Sequence, residues 1–425
     1  MEFHADEVAA NIAGIIPLQE SLLRMDLVDS SYNTVLNFYT EKIEENIKSV
    51  NVYKEQFFVL DFLAKDSQLE FKNNLPVVTL HDISKFNKSK LNIENQWASH
   101  PSIEDRNAKL EQLNIHKKIY NEQLANTIFQ DIDGIQEKLT AKLFSNIENT
   151  ETFKLQSLGE FEVDYTSKFK NNTFSLIYNC YYDNKNPNYF DVNNSQETLL
   201  IDDFKTLFDK EKIDMIYELI ALESDKIMLE NIAQKLFNIK TFDYDGHKFK
   251  AKEAWELLPE IEREIEKLKN NITQNDIAIF LYFKNIAKKS YNDYKLIAKY
   301  KAFFIYDKEY DKKIEIYNDL IQESQFISVV TPIEKIKSNL KKIYSLEIEL
   351  KREISTMLEN ELYNTVISAE IKSTFEMYLK EDWVYFSNEK YIDEELKIFY
   401  AALNNYIFIL SRGYFLLKKD LLDFQ

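Results

Sequence analysis

Two carboxylates stand four residues apart in MEFHADEVAANIAG, at Glu2 and Asp6. On a helix, i and i+4 positions share one face, so both acids project the same way. Such a pair suits metal chemistry: one carboxylate ligates the ion, and the other accepts a hydrogen bond from a ligating imidazole. The same spacing also arises because helix N-termini attract acids. A second set lies in SHPSIEDR, residues 99–106. His100 precedes proline and therefore sits in a loop. Ser102 is a natural N-cap, with Asp105 three residues on, near a capping box. Arg106 then projects a guanidinium from the helix that follows.

No complete catalytic constellation accompanies them. The histidines are His4, His81, His100, His116 and His247, and none belongs to an H-E-x-x-H. G-x-S-x-G, P-loop and G-x-G-x-x-G patterns are absent. Cys180 is the single cysteine, which excludes an internal disulfide and a cysteine-based zinc site. Its apolar neighbours in SLIYNCYY read as a buried thiol rather than a nucleophile.

The elements that must position these groups are mostly helical. Only 5 Gly and 6 Pro occur in 425 residues, so tight turns are scarce and long helices are favoured. A helix is expected over 2–16, with Ala5, Val8, Ile12 and Ile15 as its apolar stripe and Ala9 and Ala13 beside the acids, ended by Gly14 and Pro17. A second is expected over 29–64, a polar connection over 65–96, and a further helix over 116–146. Residues 152–200 look the most strand-like, being rich in aromatic and β-branched residues. Beyond Asp202 nearly everything reads as helix, except a hairpin turning at Asp245-Gly246. The fold class is mainly α, with a small mixed α/β insert at 152–200.

The net charge is −18, from 53 basic and 71 acidic side chains, which opposes binding to nucleic acid. No apolar run reaches the roughly 18 residues of a membrane span. The nearest, IFYAALNNYIFIL at 398–410, is broken by Asn404 and Asn405 and reads as a buried helix. The chain reads as soluble, cytoplasmic or peripheral to a membrane.

E-F-x-A-D on an Ala-rich helix, followed about a hundred residues later by S-H-P-S-x-x-x-R and a leucine-bearing helix, resembles the HtpX/CAAX-prenyl-protease type of zinc metallopeptidase. The resemblance covers residues 1–115, which would be the C-terminal half of a zincin-type domain. Residues 116–425 would be a mostly helical extension. In that family H-E-x-x-H supplies two zinc ligands and the general base, and a later E-x-x-x-D supplies the third ligand and a supporting acid. The resemblance implies one zinc ion, with Glu2 as its ligand and Asp6 supporting a ligand histidine. It implies His100 as a switch-like or substrate-side histidine, and Arg106 as a residue that holds the site. The H-E-x-x-H helix that the family requires is missing. The expectation is therefore a fragment of a zinc metalloendopeptidase acting on protein or peptide substrates, inactive by itself, whose parent can be membrane-associated. The alternative is a non-catalytic helical binding or scaffold module with a relict motif.

Overall fold

The computed structural model describes residues 2–93, 101–115, 117, 123, 125–147, 152–193, 203–237 and 239–425. In chain order the regular elements are α1 (Glu2–Ala13), α2 (Ile15–Glu44), β1 (Ile47–Ser49), α3 (Val52–Asp66), β2 (Phe71–Lys72), β3 (Leu75–Pro76), α4 (Leu80–Ser84), β4 (Leu91–Asn92), α5 (Ile103–Gln112), α6 (Ile132–Leu143), β5 (Lys154–Gln156) and α7 (Leu158–Asn172). There follow α8 (Lys210–Ala233), β6 (Thr241–Tyr244), β7 (His247–Lys250), α9 (Ala254–Lys289), α10 (Asp293–Ser324), α11 (Ile333–Glu359), α12 (Ala369–Lys380), β8 (Phe386–Ser387), β9 (Lys390–Tyr391) and α13 (Asp393–Phe424). The fold is mainly α with a few small sheets. Two compact units divide the chain: residues 1–173 with 214–268, and residues 174–213 with 269–425.

In the first unit, helix boundaries follow local chemistry. Gly14 separates α1 from α2 with φ 92 and ψ 160, a conformation open essentially to glycine alone. The single helix expected over 29–64 is two. Asn46 turns left-handed at φ 58, β1 follows, and the Asn51 side chain caps α3 by accepting from the amides of Tyr53 and Lys54, each at 3.1 Å. One core joins Val35, Phe38 and Tyr39 of α2, Val52 and Val59 of α3, and Phe161 and Tyr165 of α7.

Within the described part of 152–200, which ends at residue 193, the strand reading survives only at β5, which pairs in parallel with β1 (Ile47 opposite Lys154, Ser49 opposite Gln156). The rest of that described part is corrected, and residues 194–200 lie outside the described residues. Ser157 and Glu160 close a capping box, and α7 runs to Asn172. Leu176–Tyr178 is one 3-10 turn of helix, and turns follow it, with Asn179 and Cys180 both left-handed. The hairpin at Asp245-Gly246 is present: both residues have positive φ (50 and 76), as a two-residue type I′ turn requires. β4 lies on the other side of β6. Asp225 of α8, buried, accepts from the Ser89 hydroxyl at 2.5 Å, the Lys90 amide at 2.8 Å and the Leu91 amide at 3.2 Å, which fixes the start of β4.

In the second unit α10 packs on α11 and α13, and α12 on α13. The core takes Leu340, Ile343, Leu350 and Ile354 from α11 and Phe399, Leu403, Tyr406 and Leu410 from α13, all at helical spacing. The apolar run at 398–410 is thus an interior helix face. Among the described residues no helix is long and apolar enough to cross a membrane. The same unit buries charge. Lys185 donates to both oxygens of Asp276 at 2.6 and 2.5 Å, and Lys418 donates to the carbonyls of Tyr182 and Lys185.

Candidate functional site

The first unit brings Asp6 and Arg106 together. α5 begins where Ser102 accepts from the Asp105 amide at 3.0 Å, and Glu104 and Asp105 reinforce that end of the helix. This sets Arg106 in the first turn. Its Nε donates to Asp6 Oδ2 at 2.8 Å and its Nη2 to Asp6 Oδ1 at 2.6 Å. The fork matches the carboxylate geometrically, and charge assists both bonds. Asp6 is 5% exposed.

The hydrogen bonds that Arg106 donates to Asp6 raise its pKa above the ordinary value against the opposing effect of burial, and the Asp6 and Glu2 charges add to the effect. Glu2 is half-buried, one turn ahead of Asp6. Beside the ion pair lies a small apolar cluster of Ala10, Ile15, Leu22 and Leu110.

The expected packing face of α1 is corrected. Val8 is 49% and Ile12 73% exposed, and Ala5 and Ala13 also face out. The inward face carries Asp6 and Ala10, followed by Gly14. The reason is energetic. An aspartate that has lost its water is stable only beside its partner, so the ion pair orients the helix, and Ala10 lets α5 come close.

His100 lies outside the described residues, as does His116. His4 is exposed, with Nδ1 3.8 Å from a Glu7 oxygen. The structure brings Glu2, Asp6 and Arg106 into one neighbourhood. His81 and His247 are exposed on other elements.

A catalytic zinc takes three protein ligands. Among the described residues no three His, Cys, Asp or Glu side chains converge. Both Asp6 oxygens accept from the Arg106 guanidinium.

Sequence reasoning overlooked a second buried polar group in the same unit. Glu55, 1% exposed, accepts from the Tyr39 hydroxyl at 2.7 Å and the Ser49 hydroxyl at 2.8 Å. The available signal was an acid at helical spacing within the apolar stripe Val52, Val59. No protein-family model, curated protein or solved structure matches the chain.

Proposed function

We propose that residues 1–115 are the E-x-x-x-D and H-P-x-x-x-x-R portion of a zinc metalloendopeptidase, and that the chain alone neither holds zinc nor cleaves peptides. One observation carries this reading. Asp6 and Arg106, chosen from two motifs a hundred residues apart, form a bidentate pair at 2.6 and 2.8 Å. In this reading Asp6 and Arg106 fix the rotation of α1, and that rotation aims Glu2. Zinc, when bound, would polarise the scissile carbonyl and activate water. The other ligands and the general base must come from elsewhere, because the 425 residues contain no H-E-x-x-H. The substrate class is protein or peptide.

The test is metal analysis and peptide hydrolysis, on this chain and on a version extended by the coding sequence upstream. The chain as given shows no stoichiometric zinc and no cleavage. An extended chain carrying H-E-x-x-H gains both, and Glu2→Ala removes them. Tight stoichiometric zinc on the unextended chain would overturn the reading.

A second reading is a helical binding or scaffold module without chemistry. In this reading the Asp6–Arg106 pair does no more than hold α1 against α5. An upstream region with a stop codon and no in-frame H-E-x-x-H decides for the module.

A further inference from the structure

The buried group at Glu55 presents a problem of proton counting. Tyr39 on α2 has one hydroxyl proton and two acceptors in reach: Glu55 Oε1 at 2.7 Å and Gln156 Oε1 at 3.1 Å. The Gln156 amide cannot simply turn over, because its Nε2 donates to Asp164 Oδ2 at 2.8 Å. Tyr39, Ser49, Glu55 and Gln156 are all at most 3% exposed. With Glu55 ionised, Ser49 and Tyr39 both donate to it, and the Gln156 carbonyl loses the Tyr39 donor. With a proton on Glu55 Oε1, the carboxyl donates to Tyr39, Tyr39 donates to Gln156, and Ser49 still donates to Oε2. Every oxygen is then satisfied and no charge is buried, and leaving either condition unmet is costly.

We infer that Glu55 is protonated in the folded chain and that this proton pins β5 to α2 and α3, making a pH-sensitive clamp across the β1–β5 pair. The groups around it are accounted for. From α2 come Tyr39 and Lys42, the latter 3.7 Å from Asp164 of α7. β1 gives Ser49 and β5 gives Gln156. α6 offers the neutral Thr140, which accepts from the Val52 amide at 3.2 Å, and Asp133, paired with Lys54 at 3.0 Å. Burial raises the Glu55 pKa from 4.5 to about 7, against the lowering effect of the Tyr39 and Ser49 hydrogen bonds. The unfolded chain releases this proton at lower pH than the folded one. The clamp is therefore complete below about pH 4.5 and is lost as pH rises through about 7.

Hydrogen exchange reads the clamp directly at two amides. Lys154 N–H donates to Asn46 O at 2.8 Å and Val50 N–H to Gln156 O at 3.3 Å. After correction for intrinsic chemical exchange, their protection in the wild-type chain falls about tenfold between about pH 5 and about pH 8. In Glu55→Gln, whose amide can donate to Tyr39 at any pH, protection stays level over that range. Level corrected protection in the wild type would overturn the inference, as would an unchanged pH dependence in Glu55→Gln. Should the variant fail to fold, the wild-type profile alone decides.

Discussion

Arg106 straddles the Asp6 carboxylate, Nε on one oxygen and Nη2 on the other, across a hundred residues of sequence. Asp6→Ala leaves a part-buried guanidinium without its partner and is expected to cost about 2–4 kcal/mol. Arg106→Lys keeps the charge but loses the fork, for about 1 kcal/mol. A double-mutant cycle in urea, pairing Asp6→Ala with Arg106→Ala, should return a coupling of about 1–3 kcal/mol. A coupling near zero would mean that the pair does not orient α1.

Lys418 gives a second pH signature, opposite in sign to that of Glu55. Burial, then the charge of Lys185, lower its pKa from 10.5 to about 7. Between those values the unfolded chain carries the extra proton, so this group's contribution to stability rises from about pH 7 toward 10.5. Lys418→Met removes that slope and leaves the Tyr182 and Lys185 carbonyls short of a donor. The stability deficit of the variant should therefore be largest at about pH 10 and shrink toward pH 7, as read from urea midpoints.

Gly413 is glycine for reasons of space rather than backbone. A Cβ there would lie 2.4 Å from Tyr363 Cε1 and 2.9 Å from Tyr306 Oη. Those two hydroxyls bond each other at 3.0 Å, and Tyr306 also donates to the Leu410 carbonyl at 2.8 Å. Gly413→Ala should destabilise by about 1–3 kcal/mol, although alanine is the better helix former. Thermal unfolding measures this. An unchanged or raised midpoint would show that the tyrosines move aside freely.

Ser157 decides whether the following residues are helix. Ser157→Ala should cost about 1 kcal/mol and lower the helical circular dichroism signal. No change in either would argue that tertiary packing alone fixes α7.

The helical class was legible because glycine and proline are scarce, and the Asp245-Gly246 hairpin because its turn chemistry is specific. α7 was missed because composition outweighed period. Phe161, Tyr165 and Phe169 recur every four residues, which is a helical spacing, but aromatic richness suggested a strand. The break at 45–51 was hidden because Asn46 can turn left-handed as glycine does. At the candidate site, the spacing of Glu2 and Asp6 was visible. The orientation of α1 was not, because Val8 and Ile12 outnumber one aspartate in any hydropathy count. It took the long-range partner Arg106 to turn them outward.

The first unit closes only with a segment that follows an intervening stretch of the second. Residues 174–213 must be synthesised before Asp225 can receive the amides of Lys90 and Leu91. From 173 to 268 is 95 residues (268 − 173), or roughly 5–20 s of ribosomal elongation. Through that interval Leu91 and Ile93 lack the α8–α9 core they pack against. Their apolar side chains stay open to water until residue 268 has emerged, the condition under which partly made chains aggregate.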